Sequence, residues 1–386
     1  MIRRLETHNI GPLQNMKLDF SDRLNFITGD NGLGKSFILD LVWFSLTRQW
    51  PQLLNASLLS GDMARPSNVR EAATIKAIFS GVAREAGPSA KFEPDADAWF
   101  FEPGKPASPG MVFYAMADGS FAAWDPMRNR QSSRAGAADV VPAFVFNSRQ
   151  AMDGLPGQNG DWLCEGLIKD LTYWQNSKID DENFEVFCEV LELLSSDSDK
   201  LTLDKPRTVR PSDIRRIPTL RMPYGTAVPI IHASAGVKRI VTLAYLLMWT
   251  WFGHKEAASA RGKNAEACIT FLFDEVESHL HPRWQRTIIP ALMKVAERMS
   301  KDSGGQPSIQ FIVASRPWSC LRSRAALTRA GIVGSTWIVS MARWRSRLAN
   351  IELGVMREAG SPARLSISEP LTPSVSKVRS RMQARF

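Results

Sequence analysis

Residues 2–10 and 15–28 alternate apolar and polar side chains, and the second run closes on Leu24-Asn25-Phe26-Ile27-Thr28 ahead of a glycine. A period of two predicts two strands feeding a loop. Residues 36–48 read as the helix that follows, apolar enough to be buried. Short strands are expected over 70–128, where residues 111–116 and 120–124 flank Asp118-Gly119, a strong hairpin signal. Residues 140–146 form another apolar run, expected as a core strand. Residues 161–200 are acidic and helical in pattern, with Leu167, Ile168, Leu171 and Trp174 at helical spacing. Residues 205–230 are rich in Pro and Arg, with a turn at Pro223-Tyr224-Gly225. An apolar helix over 234–260, a fully buried strand over 268–273, a helix over 283–300 and a strand over 308–314 complete an α/β pattern. No repeat and no sustained heptad is present.

A length of 386 residues allows one large domain with insertions or two modest ones. The four cysteines include no C-x-x-C pair, which argues against a zinc site or a disulfide framework and fits a reducing cytosol. The first residues lack an apolar signal core. The longest apolar stretch, 240–252, falls short of the roughly 20 residues that span a bilayer, so we expect a cytoplasmic protein with no membrane partner. The net charge of +9 suggests nucleic acid until it is located. Residues 315–386 carry twelve Arg and one Lys against three Glu and no Asp, which leaves the preceding body close to neutral.

Two segments carry candidate chemistry. Gly29-Asp30-Asn31-Gly32-Leu33-Gly34-Lys35-Ser36 satisfies G-x-x-x-x-G-K-[ST] between an expected strand and an expected helix. Its glycines let the backbone turn its N–H groups toward phosphates, and the helix N-terminus adds a favourable dipole. Lys35 would place a point charge on the β/γ-phosphates and Ser36 would ligate Mg²⁺. With Phe37, these residues are the expected ATP site. The second segment is an apolar strand ending in Asp274 and Glu275. Asp274 would hold Mg²⁺, and Glu275 would orient and deprotonate the attacking water, with Lys35 as the other catalytic group. Ser234 and Gly236 open the apolar helix upstream, either as a simple N-cap or as donors to an anion.

The order of these motifs, followed by Glu277-Ser278-His279-Leu280-His281-Pro282, resembles the ABC-class P-loop ATPases of the RecF/SMC/OLD-like group. It is most similar to stand-alone bacterial AAA-domain ATP-binding proteins linked to virulence or defence. The resemblance covers about residues 1–314. It implies a mixed central sheet with an antiparallel β subdomain and an inserted helical lobe. We expect the first part of the head, with the phosphate loop and β subdomain, in 1–160. The helical lobe and its Pro/Arg-rich connector would fill 161–230, and the signature and acidic strand 231–314. The resemblance also implies a homodimer with ATP at its interface, where Ser234 and Gly236 of one copy complete the site of the other. A strand-end glutamine would fall at Gln150.

One departure stands out. Such heads carry Thr-His-Ser-Pro after the strand at 308–314, whose histidine senses the γ-phosphate; this chain reads Ala314-Ser315-Arg316-Pro317-Trp318. Residues 315–386 turn abruptly to Arg, Ser and Ala. Their codons, shifted by one base, can encode the residues the group carries there. We expect this tail to be a shifted-frame product that is poorly ordered and impairs hydrolysis; the rival is a genuine basic tail on phosphate backbones. The functional expectation is an ATP-hydrolysing dimerisation switch for a separate effector protein or nucleic acid, in a role such as anti-phage defence. The alternatives are a RecF-like repair ATPase that binds DNA through Lys205, Arg207, Arg210, Arg215, Arg216 and Arg221, or a nucleotide-sensing scaffold with negligible turnover.

Overall fold

The structure is a computed structural model. It describes the chain apart from residues 12, 31, 81–88, 103–107, 131–140, 158–159, 178–180, 197–199, 302, 304–307, 316–335, 342–352 and 357–386. β1 (Ile2–Ile10) and β2 (Leu13–Asp19) pair antiparallel, and β3 (Leu24–Gly29) leaves them for another sheet. The run expected over 15–28 is therefore two strands. Asn25 makes the break: its Oδ1 accepts from the Ser21 amide at 2.7 Å and its Nδ2 donates to the Ser21 carbonyl at 3.0 Å, closing a turn over 20–24.

After α1 (Lys35–Thr47) and the single turn α2 (Pro51–Leu54) come β4 (Thr74–Phe79), β5 (Ser89–Glu93) and β6 (Ala98–Phe101). They extend the first sheet in the order β2-β1-β4-β5-β6, all antiparallel. β7 (Met111–Ala115) and β8 (Phe121–Trp124) form the expected hairpin, with Gly119 at φ 86° in its turn. β9 (Phe144–Phe146) is shorter than the apolar run 140–146 suggests. α3 (Ser148–Asp153) and the two-stranded β10 (Leu155–Pro156) and β11 (Trp162–Cys164) lead to the helical lobe, α4 (Leu167–Asn176) and α5 (Asp181–Leu194). Where the sequence reads as a mere connector, β12 (Thr202–Arg207), β13 (Ile217–Arg221) and β14 (Ala227–Pro229) build a small antiparallel sheet. Its second turn is the expected one: the Gly225 amide donates to the Met222 carbonyl at 2.8 Å. α6 (Ala235–Ser259), β15 (Cys268–Asp274), α7 (Pro282–Ser300) and β16 (Ser308–Ser315) follow.

Within the basic tail two further strands are described, β17 (Thr336–Met341) and β18 (Leu353–Met356). β17 lies parallel to β3, and β18 lies antiparallel to β17. The eight-stranded central sheet runs β18-β17-β3-β16-β15-β7-β8-β9, with five parallel strands from β17 to β7 and antiparallel strands at both edges. Arg316 and the rest of the tail lie outside the described residues.

The central strands are buried on both faces, and their side chains divide by the period of two. Phe26, Phe113, Phe271, Phe273, Phe311 and Val313 face a core built with α4 to α7. Ile27, Val112, Tyr114, Leu272, Ile312 and Ala314 face a second core built with α1 and the antiparallel sheet. Register partners Phe113, Phe271 and Phe311 stack across three strands, with ring centroids 5.1 and 4.9 Å apart. Each buried phenyl contributes about 1.5–3 kcal/mol, and the ladder holds the strands in the register that aligns their functional ends. At its far end, α6 is anchored by His254, fully buried, whose Nε2 accepts from the Glu266 amide at 2.8 Å and whose Nδ1 therefore donates to Asp125 at 2.7 Å. Residues 240–252 of α6 are core, as their apolar run predicts. Among the described residues no helix is long and apolar enough to cross a membrane.

Candidate functional site

Three parallel strands end at one edge of the central sheet: β3 at Gly29, β15 at Asp274 and β16 at Ser315. In register, Asp274 lies beside Ala314, and Ala314 beside Ile27. The carboxyl edge of such a sheet is where open α/β folds take ligands.

From β3 the chain turns into α1 through Gly32 (φ 79°) and Gly34 (φ 83°), left-handed conformations that a Cβ would strain. Gly34 is the N-cap of α1, and no side chain among the described residues caps it. The first-turn amides are thus left to an incoming acceptor. Lys35 is only 5% exposed; its ammonium donates to the carbonyls of Gly29 and Asp30, both at 3.0 Å, and so lies folded across the loop. Asn31 lies outside the described residues. Leu33 and Phe37 pack against the α1-side core. The Phe37 ring covers Gly11, where a Cβ would meet its Cζ at 2.7 Å, so this side chain serves the contact between α1 and the β1–β2 turn.

The distant acid reaches this loop. The Asp274 carboxyl lies near enough to the Ser36 hydroxyl and to Lys35 for both to lower its pKa. Asp274 is buried, and its pKa is pushed up to about 6, first by burial, with Ser36 and Lys35 opposing and Glu275 and Glu277 reinforcing. Its Oδ1 is buried with no hydrogen-bond partner among the described residues. A buried, unsatisfied carboxylate oxygen is costly unless something arrives to use it. A hydroxyl and a carboxylate side by side are hard oxygen donors of the kind Mg²⁺ takes, alongside substrate phosphates. The residues present fit that ion.

Glu275 leaves the strand in a left-handed conformation, φ 44°, with its amide donating to the Ala314 carbonyl at 2.9 Å. Glu277 is 6% exposed and accepts from the Ser315 hydroxyl at 2.7 Å. Ser315 ends β16 at the point where a Thr-His-Ser-Pro segment was expected and the chain instead reads Ser315-Arg316-Pro317-Trp318. His281 caps α7, so its structural role is accounted for. Gln150 is third in a capping box at α3, its Oε1 accepting from Asn55 Nδ2 at 2.7 Å and the Asn147 amide at 2.9 Å.

Ser234 and Gly236 do not join this constellation. Ser234 is the N-cap of α6, its hydroxyl accepting from the Val237 amide at 3.4 Å, and it is exposed. A Cβ on Gly236 would sit 2.7 Å from the His279 carbonyl oxygen. Glycine is needed there because helix and loop backbones touch. Gly236→Ala is expected to destabilise the fold by about 1–3 kcal/mol, measured by denaturant unfolding; an unchanged midpoint would show that the loop yields freely.

Two buried residues escaped the sequence reading. Asp40, one turn after Ser36 on α1, accepts from the Tyr114 hydroxyl at 2.8 Å. Burial pushes its pKa to about 7, the Tyr114 bond opposing and the Asp274, Asp62 and Asp118 charges adding to the rise. Its sequence signal was a lone carboxylate in an apolar helix. The unfolded chain ionises Asp40 near 3.8, so it binds fewer protons than the folded chain between there and about 7. The stability this group contributes is full below the lower value and is lost as pH rises through the upper one. Asp40→Asn is expected to melt above the unsubstituted protein at about pH 8 and level with it near about pH 4; thermal unfolding across that range checks it.

Comparisons with known proteins agree with the geometry. Residues 4–94 match the family model described as AAA domain, and residues 172–315 match the model described as AAA domain, putative AbiEii toxin, Type IV TA system. No curated protein matches the chain. Among solved structures, an SMC head bound to the C-winged helix domain of ScpA is 16% identical with a TM-score of 0.46, covering 89% of this chain and 95% of that one. The SMC head domain from Thermotoga maritima is 16% identical with a TM-score of 0.39, covering 88% and 95%. RecF-ATPrS of the RecFOR pathway is 11% identical with a TM-score of 0.39, covering 88% and 96%. These superpositions are loose, and the weight rests on the two family matches and on the phosphate loop meeting the acidic strand. The chain carries AAA-domain sequence over both segments that build this site, residues 4–94 and 172–315.

Proposed function

We propose that the chain binds ATP with Mg²⁺ on residues 29–36 and hydrolyses it with Glu275, closing as a homodimer when ATP is bound and opening after hydrolysis. The observation that carries this reading is the buried Asp274 Oδ1, which has no hydrogen-bond partner among the described residues and lies on the acidic strand beside the phosphate loop that carries Lys35 and Ser36. The loop amides and Lys35 bind and orient the triphosphate. Ser36 and Asp274 would hold Mg²⁺, which when bound draws off phosphate charge as the terminal bond breaks. Glu275, next in the chain, takes a proton from the attacking water and keeps it in line. Exposed Ser234 and the first turn of α6 suit the γ-phosphate of a second copy.

A separate effector would read the closed state. The second family match, whose description names a putative AbiEii toxin of a Type IV TA system, is the one that fits a role in such a system or in defence. Direct DNA binding through the arginine cluster is less well supported. Arg207 and Arg221 pair with Asp204 at 3.7 and 3.3 Å, and Arg215 pairs with Asp153 and Asp213 at 3.1 and 2.9 Å, so acids nearby already answer much of that charge. Light scattering with and without ATP and Mg²⁺ tests the switch. A doubling of mass on adding ATP is expected; a mass that stays constant at saturating ATP rejects it.

A further inference from the structure

We propose that Arg239 is the positioning residue for Glu275: it holds the backbone of the hydrolytic segment in the conformation that aims the carboxylate, and ties that conformation to the start of α6. The inference rests on reading Glu275 as the base for ATP hydrolysis.

Arg239 lies in the second turn of α6, five residues after the Ser234 cap, and points back under the carboxyl edge of the sheet. Its Nη1 donates to the Ala117 carbonyl at 2.8 Å. Its Nη2 faces the carbonyls of Met116 at 3.2 Å, Glu275 at 3.2 Å and Asp274 at 3.4 Å. One guanidinium thus joins three pieces of chain: α6, the β7–β8 turn and the end of β15. The fork matters, because acceptors on both sides of a planar group cannot be spanned by a single ammonium.

The conformation so held needs holding. A non-glycine residue at φ 44° costs on the order of 1 kcal/mol or more and persists only where its surroundings over-determine it. At Glu275 the amide is fixed by the Ala314 carbonyl, while the carbonyl is shared by Arg239 and the Ser278 amide at 2.7 Å. Arg239 ties this carbonyl to an element outside the strand ends. It also sits among acids: burial lowers its pKa, and Glu277, Asp274, Asp118 and Glu275 act against that loss. One turn earlier, the same helix touches the same segment where Gly236 meets the His279 carbonyl. The first two turns of α6 therefore bear on residues 274–280 at two points. A ligand that shifts the helix start at Ser234 would move the Glu275 backbone with it.

ATP turnover by the full chain, with Arg239→Lys and Arg239→Gln, tests this. Arg239→Lys keeps the charge and loses the fork. It should lower kcat at least about 30-fold, the scale on which small misplacement acts, with KM for ATP within about threefold and little change in Tm. Adding Arg239→Lys to Glu275→Gln should cost nothing further, because the residue acts through Glu275. Turnover retained by Arg239→Lys, or losses that multiply in the double variant, would overturn the inference alone. No turnover by the unsubstituted protein would overturn the hydrolytic reading and this inference with it. If the Lys variant does not fold, Arg239→Gln, whose amide can still reach one carbonyl, decides by the same comparison.

Discussion

Glu275→Gln should cut ATP turnover about 1,000-fold, within the range general bases contribute, while ATP binding persists. The side chains are nearly isosteric, so the backbone ties at Ala314, Ser278 and Arg239 remain, while the carboxylate charge and its capacity to accept a proton are lost. ATP held without hydrolysis should also keep the closed form, so the variant should remain dimeric in ATP long after the unsubstituted protein has reverted. Phosphate release and sedimentation in the same samples check both halves. A variant as fast as the unsubstituted protein would place the base elsewhere.

Lys35→Ala should weaken ATP binding about 100-fold, the nearly 3 kcal/mol upper range for a hydrogen bond to a charged partner. The ammonium is buried and already bridges the Gly29 and Asp30 carbonyls across the loop. Its removal therefore takes a charge from the phosphates and a brace from the cradle together. Titration calorimetry with ATP and Mg²⁺ measures the loss. Affinity within threefold of the unsubstituted protein would mean that the triphosphate does not lie along this loop.

Much of this site could be read from the residues because its parts are local. The phosphate loop needs its glycines, Lys35 and Ser36 in one short stretch, and the acids need only an apolar strand ahead of them. What escaped was non-local or made of backbone. The four acceptors of Arg239 are carbonyls, which leave no mark on the sequence. The pairing of Asp40 with Tyr114 joins a helix to a strand 74 positions away. In the fold, the β12–β14 sheet was hidden by proline. Pro206 sits in the register shift between Asp204 and Arg207, and Pro218 falls within β13, so each reads as a strand breaker while the pairing passes around it. The division of residues 15–28 did leave a mark, since the three polar residues Ser21-Asp22-Arg23 interrupt the alternation where β2 gives way to β3, and the Asn25 side chain closes the turn there.

A crystal structure of Glu275→Gln grown with ATP and Mg²⁺ tests the core of this account. It should show the triphosphate wrapped by residues 29–36 and the ion about 2.1 Å from the Ser36 hydroxyl, with the lone Asp274 oxygen turned to it directly or through a water. Nucleotide bound away from this loop, or an ion that ignores both Ser36 and Asp274, would contradict it.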